Sequence, residues 1–287
     1  MKRLLCLLAL STLLTLTAFT HRTIHWVAIG DSITYLNDHL DETGNRLTKG
    51  YLTQVTQHLP YVHYTNQGHN GWTSGNIAKS IEKLGIPPAD VYSVFLGTND
   101  WWHSNHIGHW SDFQNNTGDS TIYGSFRIIL DKLHSLNKDA TIILITPMPR
   151  GDFVEIRNPK NMAHGSYKDK DGQTLEQVAE AIHSIADNQH LRFIDLYHEK
   201  KLAVSRLVHF KRLKDPQTGA YNNYPYPDYT SIPFDPADEY PYPVDAMDMT
   251  YDGLHPSDKG DALIAKRLIK ILKKLPAPPA QPAPATH

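Results

Sequence analysis

Short apolar runs alternate with helical patterns along most of the chain, and this alternation limits the fold more than any other feature. The apolar runs are predicted strands at residues 23–30, 61–68, 90–97, 140–148 and 191–197. Apolar residues at helical spacing predict helices at 51–59, 73–85, 121–136, 174–189 and 258–275. Strands that alternate with helices form a parallel sheet joined by crossover helices. The sequence therefore predicts an α/β fold, a three-layer α/β/α sandwich around a five-stranded parallel sheet.

The alternation stops between about residues 200 and 250, in a segment that we call the insert. It contains the run YNNYPYPDYTSIPFDPADEYPYP, which is dense in tyrosine, proline and aspartate. Proline prevents a regular helix or a central strand there. A loop of this length inside a compact domain is usually functional or packed as a cap. We expect the insert either to cover a site or to stabilise itself by packing tyrosine against proline.

The two ends of the chain differ from its body. The N-terminus starts with Lys2 and Arg3 and continues as an apolar stretch, which is typical of a secretory signal peptide over residues 1–20. A retained N-terminal anchor is the alternative. The end, residues 276–287, is rich in proline and alanine and predicts an extended tail. We therefore expect one domain at 21–275, in a protein exported to the periplasm or the cell exterior and without a membrane span after processing.

Composition and two weak motifs argue against several classes of partner. The chain has 28 basic and 30 acidic residues, so no basic surface for nucleic acid is expected. The run HSNHIGH at 103–109 spaces three histidines by three, but Gly108 and the lack of carboxylates favour a surface loop. The run DKDGQTLEQV at 169–178 faintly resembles a calcium-binding loop. However, Tyr167 stands at the first ligand position of such a loop and Val178 at the twelfth, where aspartate and glutamate are required. We expect neither a metal nor a cofactor.

Polar residues follow the predicted strands at the points where ligands bind. Ligands of an open parallel sheet bind beyond the carboxyl ends of its strands. Three strands and the loop before the last helix end in polar blocks: Gly30-Asp31-Ser32, Asn66-Gln67-Gly68, Gly97-Thr98-Asn99-Asp100 and Asp252-Gly253-Leu254-His255. Each block alone has an ordinary explanation as a turn. Together at one edge of a sheet they predict a catalytic site.

These blocks contain the residues that acyl transfer requires. Ser32 is the candidate nucleophile, which becomes reactive when a base takes its proton. His255 is the candidate base, and Asp252 can fix its tautomer and stabilise the imidazolium. A tetrahedral intermediate also needs donors for its oxyanion. The candidates are the backbone N–H groups of Ser32 and Gly68 and the side-chain amide of Asn99.

The four blocks, in this order, resemble the SGNH (GDSL-type) hydrolase family over residues 24–275. The resemblance implies a flavodoxin-like sheet and an esterase mechanism, with Ser32 as nucleophile, Asp252 and His255 as its partners, and Gly68 and Asn99 in the oxyanion hole. The segments GTNDWW, TPMPRGDF and YDGLHPSDKG resemble secreted members from Bacteroidetes bacteria. The insert departs from the compact family pattern and leaves the shape of the substrate pocket open.

Three tryptophans bear on the substrate. Trp72, Trp101 and Trp102 directly follow two of the polar blocks, where they could stack on sugar rings or pack the roots of the loops. We expect a serine esterase that acts through an acyl-enzyme on O-acetyl groups of carbohydrate, or another small-molecule ester.

Two other functions are compatible with the sequence. One is a lysophospholipase or thioesterase, and the other is a carbohydrate-binding protein with dormant chemistry. A flavin-binding protein is disfavoured because no phosphate loop rich in serine, threonine and glycine follows the first strand. The sequence leaves the oligomeric state open.

Overall fold

A computed structural model describes residues 23–275 of the chain. The predicted signal peptide at 1–20 and the predicted tail at 276–287 lie outside these residues. The strands are β1 Ile24–Gly30, β2 Val62–Gly68, β3 Val91–Phe95, β4 Thr141–Ile145, β5 Phe153–Val154, β6 Met162–Ala163, β7 Arg192–Ile194, β8 Lys211–Lys214 and β9 Tyr221–Tyr224. The α-helices are α1 Ser32–Tyr35, α2 Tyr51–His58, α3 Ser74–Ser80, α4 Thr98–Trp102, α5 Trp110–Gln114, α6 Ile122–Leu136, α7 Leu175–Asn188 and α8 Asp258–Leu272.

Five strands form one parallel sheet in the order β2-β1-β3-β4-β7. This confirms the predicted fold class and strand number. β1 lies between β2 and β3, and Gly30 at its end is in register with Gly68 on one side and Phe95 on the other. The three polar blocks that follow these strands therefore meet at a single edge of the sheet.

Both faces of the sheet are covered, which explains why its strands are apolar without alternation. Along β1, Trp26 and Ala28 point into one core, whereas Val27 and Ile29 point into the other. Helices α2 and α8 complete the first core, and helices α3, α6 and α7 complete the second. The result is the three-layer sandwich.

Hydroxyl caps set where the main helices start. The side chains of Thr73, Thr121, Thr174 and Ser257 each accept a hydrogen bond from a backbone N–H in the first turn of α3, α6, α7 and α8. Such caps satisfy donors that have no partner within the helix. Helix α3 ends at Ser80, earlier than the predicted 85, and β4 ends at Ile145, earlier than the predicted 148. None of the helices between residues 23 and 275 is both long and apolar enough to cross a membrane.

The insert contains a hairpin and a small aromatic core of its own. Strands β8 and β9 pair in antiparallel fashion, which the sequence did not predict. Beyond them, Tyr229 and Tyr242 are fully buried and pack with Val208 and Leu213, and with Val154 from outside the insert. Further tyrosine rings meet edge to face, with 5.9 Å between the ring centres of Tyr226 and Tyr229. The insert is thus stabilised by its own aromatic side chains and is anchored to the segment that follows β4.

Candidate active site

Ser32 is the first residue of α1, immediately beyond the carboxyl end of β1. Asp31 caps this helix, because its carboxylate accepts a hydrogen bond from the Ile33 N–H at 3.0 Å. The turn from strand to helix is tight, and a Cβ on Gly30 would lie 2.0 Å from Thr34 Oγ1. Only glycine fits at this point. The serine hydroxyl is thereby held at the edge of the sheet.

His255 links Ser32 to Asp252 through two hydrogen bonds. Its Nε2 lies 2.9 Å from Ser32 Oγ, and its Nδ1 lies 2.7 Å from Asp252 Oδ2. The other carboxylate oxygen, Asp252 Oδ1, accepts from the backbone N–H groups of Leu254 at 3.0 Å and His255 at 2.7 Å. All three side chains of the array are largely buried. Such an array can move the serine proton to the imidazole while the carboxylate holds the ring in place.

The loop that carries Asp252 and His255 is held by the segment after β4. The Gly151 N–H donates to the Gly253 carbonyl oxygen at 2.8 Å. Gly253 has a φ of +87°, and a Cβ there would lie 2.0 Å from the Asp152 carbonyl oxygen. The ring of Phe153 meets the His255 ring edge to face, with 5.5 Å between centres.

The sequence patterns did not predict this supporting segment. Its place at the site could have been predicted from strand order, because the segment follows the fourth predicted strand and so starts at the same edge of the sheet. The residues concerned are Gly151, Asp152 and Phe153.

The three predicted oxyanion donors lie at or just beyond the carboxyl ends of β1, β2 and β3, which are neighbours in the sheet. No residue within 23–275 accepts a hydrogen bond from the Ser32 N–H. The Asn99 side-chain amide donates one hydrogen to the Trp72 carbonyl oxygen at 3.0 Å, and its second hydrogen has no acceptor among residues 23–275. The Gly68 N–H donates to Asn66 Oδ1 at 2.8 Å. Ser32 and Asn99 can therefore donate to an oxyanion directly, whereas Gly68 must first exchange its partner.

Gly68 has a second, structural reason to be glycine. A Cβ at this position would lie 2.2 Å from the Tyr35 backbone nitrogen. The end of β2 therefore packs directly against the backbone of α1, as the absence of a side chain at Gly68 allows. A larger residue would displace the helix that starts with Ser32.

Burial raises the pKa of two aspartates near the end of β1 and the start of α4, Asp31 and Asp100. Loss of solvent raises the pKa of Asp31 to about 6, against the lowering effects of the Ile33 hydrogen bond and of His255. Burial also raises the pKa of Asp100, which accepts hydrogen bonds from the Ser74 backbone and hydroxyl. Asp100 thus joins the start of α4 to the start of α3. Burial therefore raises the pKa of two neighbouring acids, Asp31 and Asp100, of which Asp31 directly precedes Ser32.

Arg150 is a buried arginine whose charge interacts with that of Asp252. Burial lowers the pKa of Arg150 to about 10, while the charges of Asp252 and Asp152 act in the opposite direction. Its Nε and Nη2 have no hydrogen-bond partner among residues 23–275. The guanidinium instead lies over the rings of Trp101 and Trp102, 5.5 and 5.1 Å from their centres. It remains a positive charge at neutral pH.

The three predicted substrate-binding tryptophans differ in exposure. Trp72 is partly exposed and stacks on His69, with 4.2 Å between ring centres. Trp102 is also partly exposed. Trp101 is fully buried, and its indole N–H donates to the Gln173 carbonyl oxygen at 2.9 Å. Of the two roles that the sequence left open for Trp101, its complete burial supports packing in the core of the sandwich and argues against contact with the substrate.

The histidine run 103–109 forms a loop between α4 and α5, as predicted. Within residues 23–275, no group of three or more histidine, cysteine, aspartate or glutamate side chains could hold a metal ion.

This chain is similar to a number of solved structures, including the following two. A protein from Chitinophaga pinensis, described as a possible lipase, is 56% identical with a TM-score of 0.86, and the match covers 88% of this chain and 98% of that one. A protein from Lactobacillus plantarum is 19% identical with a TM-score of 0.56, covering 88% and 97% of the two chains. The second match is evidence for the fold alone. No curated protein matches this sequence.

A family model matches residues 28–263, which span the site from β1 to the last helix. The model describes the GDSL-like lipase/acylhydrolase family. The matched range includes Ser32, Gly68, Asn99, Asp252 and His255. The chain therefore belongs to the GDSL-like lipase/acylhydrolase family of ester-hydrolysing enzymes.

Proposed function

We propose that this enzyme is a serine esterase in which Ser32 is the nucleophile. Ser32 Oγ attacks the ester carbonyl carbon while its proton passes to His255 Nε2. The tetrahedral intermediate collapses, the bond to the alcohol oxygen breaks, and His255 returns the proton to that oxygen. Water then attacks the acyl-enzyme by the same route and releases the acid.

One observation carries this proposal. The hydrogen-bonded series from Ser32 through His255 to Asp252 is complete, with distances of 2.9 and 2.7 Å. A binding protein has no need of this alignment. Asp252 also accepts two backbone N–H bonds through Oδ1, which hold its other oxygen, Oδ2, toward the histidine.

We further propose that the ester is an O-acetyl group on a carbohydrate. Two partly exposed tryptophans, Trp72 and Trp102, follow the oxyanion candidates Gly68 and Asn99 within four residues along the chain. Aromatic faces are suited to the apolar side of sugar rings. The N-terminal sequence supports a place outside the cytoplasm, where polysaccharide substrates occur.

Turnover of p-nitrophenyl acetate, butyrate and octanoate tests the proposal. Wild type, Ser32→Ala and the control Ser111→Ala are compared, because Ser111 is exposed on α5 and takes part in none of the contacts described for the site. We expect Ser32→Ala to lose about 10⁴-fold or more in kcat and the control to be unchanged. Wild type should be fastest on acetate.

Other outcomes would redirect the assignment. Preference for octanoate would favour a lysophospholipase or thioesterase. Equal rates for wild type and Ser32→Ala on all three esters would refute Ser32 as nucleophile. Glycan binding without any turnover would then favour a binding protein on this fold.

A further inference from the structure

A cavity of about 430 Å³ lies between the insert and the segment that follows β4. The segment after β4 contributes Asp152, Phe153 and Met162, and the insert contributes Lys211, Ile232 and Phe234. Its size falls in the range of small-molecule sites, about 300–1,000 Å³. The part of the chain that lacks a counterpart in the compact family pattern therefore forms one wall of a cavity.

The cavity adjoins the histidine side of the catalytic site. Phe153 lines it, and the same ring packs edge to face with the His255 ring, with 5.5 Å between the ring centres. In ester cleavage the histidine must return a proton to the departing alcohol oxygen. The alcohol therefore lies on the histidine side of the carbonyl, and the oxyanion donors lie on the other. Phe153 connects the cavity to the position of the alcohol.

The chemistry of the walls narrows the kind of alcohol. Phe153, Ile232 and Phe234 supply apolar and aromatic surface, and Met162 at the wall is 45% exposed. The same cavity presents a charged pair, in which Lys211 Nζ lies 3.0 Å from Asp152 Oδ2. An alkyl chain placed against the part of Asp152 that is still exposed, 15% of its side chain, would remove it from water without giving a hydrogen bond in return. A sugar ring suits both parts of the cavity, because its apolar face can pack on the aromatic side chains and its hydroxyl groups can form hydrogen bonds with the charged pair.

The polar groups of the cavity are fixed before any ligand arrives. Asp152 Oδ1 accepts from the Gly165 N–H at 2.9 Å and from the Tyr167 hydroxyl. Lys211 is almost fully buried and its Nζ lies 5.3 Å from the centre of the Tyr229 ring. Preformed donors and acceptors lower the cost of ordering a site on binding.

We propose that this cavity is the binding site for the alcohol portion of the ester, a glycosyl unit, and that the insert determines which alcohols are accepted. This inference rests on the proposed esterase function. It adds that the enzyme distinguishes its substrates by the alcohol portion of the ester, and that residues of the insert make this distinction.

The test keeps the acyl group constant and changes only the alcohol. Acetate release is measured from methyl acetate and from an acetylated methyl xyloside, for wild type, Phe234→Ala and the control Phe193→Ala. Phe193 is a partly exposed phenylalanine on β7 that does not line the cavity. The readout is the ratio of kcat/KM for the sugar ester to that for methyl acetate.

We expect Phe234→Ala to lower this ratio about 10-fold, as the loss of apolar contact in a specificity pocket does. The control should leave it unchanged. Ile232→Ala is a smaller truncation in the same wall and should lower the ratio as well. It keeps the test informative if Phe234→Ala does not fold.

Two results would overturn the inference. An unchanged ratio in both cavity variants would show that the cavity does not hold the alcohol. A selective loss on p-nitrophenyl octanoate relative to acetate would assign the cavity to the acyl chain. Failure of the esterase proposal looks different, because wild type would then show no Ser32-dependent release of acetate from either substrate.

Discussion

Asp31→Asn should make the stability of this enzyme less sensitive to pH. Asp31 is 2% exposed and lies directly before the nucleophile, and burial raises its pKa from 3.8 to about 6. An asparagine keeps an oxygen that can accept the Ile33 N–H and cap α1. The substitution therefore removes the titration while it preserves the local hydrogen bond.

The size of the effect follows from the two pKa values of Asp31. Below pH 3.8 the carboxyl is protonated in both the folded and the unfolded chain, so it contributes no pH dependence. Between 3.8 and about 6 the unfolded chain releases this proton and the folded chain retains it, so the free energy of unfolding falls as pH rises. At about 1.4 kcal/mol per pH unit the total is about 3 kcal/mol.

Urea denaturation of wild type and Asp31→Asn at several pH values measures this pH dependence of the free energy of unfolding. The stability difference between the two proteins should grow by about 2–3 kcal/mol in favour of the variant between pH 4 and pH 8. Subtracting the free energy of unfolding of one protein from that of the other cancels the contributions of the carboxyl groups that both contain. A constant cost of burying the amide does not affect how this difference changes with pH. Asp139→Asn, whose side chain is 80% exposed, serves as the control and should show no such trend. A difference that stays constant within about 0.5 kcal/mol would refute the reasoning.

Three further substitutions test the site. Asp252→Asn should lower kcat on p-nitrophenyl acetate by about 10⁴-fold, because an amide donor facing the histidine favours the wrong tautomer; a loss below about 10-fold would contradict a triad. Gly68→Ala should lower both the melting temperature and kcat/KM, since its Cβ would lie 2.2 Å from the Tyr35 nitrogen; an unchanged melting curve would show that α1 adapts. Lys211→Met should lower the free energy of unfolding by about 3 kcal/mol, because it leaves Asp152 without its charged partner. Denaturation with urea measures the last effect, and a change below about 1 kcal/mol would contradict it.

The sequence predicted the sheet and the position of the candidate catalytic residues because both depend on local signals. Each strand is an apolar run with a polar block at its end, and parallel pairing brings those blocks together whatever the loops do. Ser32, His255 and Asp252 could thus be placed at one edge from strand order and resemblance. The spacing of Asp252 and His255 within one short loop made their contact predictable.

The remaining features depend on contacts that no local pattern reveals. Trp101 and Trp102 are adjacent in a helix of five residues, which is too short to show which side faces the core. The pairing of Gly151 with Gly253 joins segments about 100 positions apart. Strands β8 and β9 carry lysine and asparagine where alternation of apolar residues would have marked a hairpin.

The anchoring of the insert has a consequence for protein engineering. The Tyr242 hydroxyl donates to the carbonyl oxygen of Asp152, and that same oxygen closes the space over Gly253 in the loop of the catalytic acid and base. Exchanging the insert for that of a relative would therefore alter the brace of the catalytic loop together with the cavity wall. Grafts that transfer Tyr242 and its surroundings intact, and vary only the cavity wall around Phe234, are the ones expected to retain turnover.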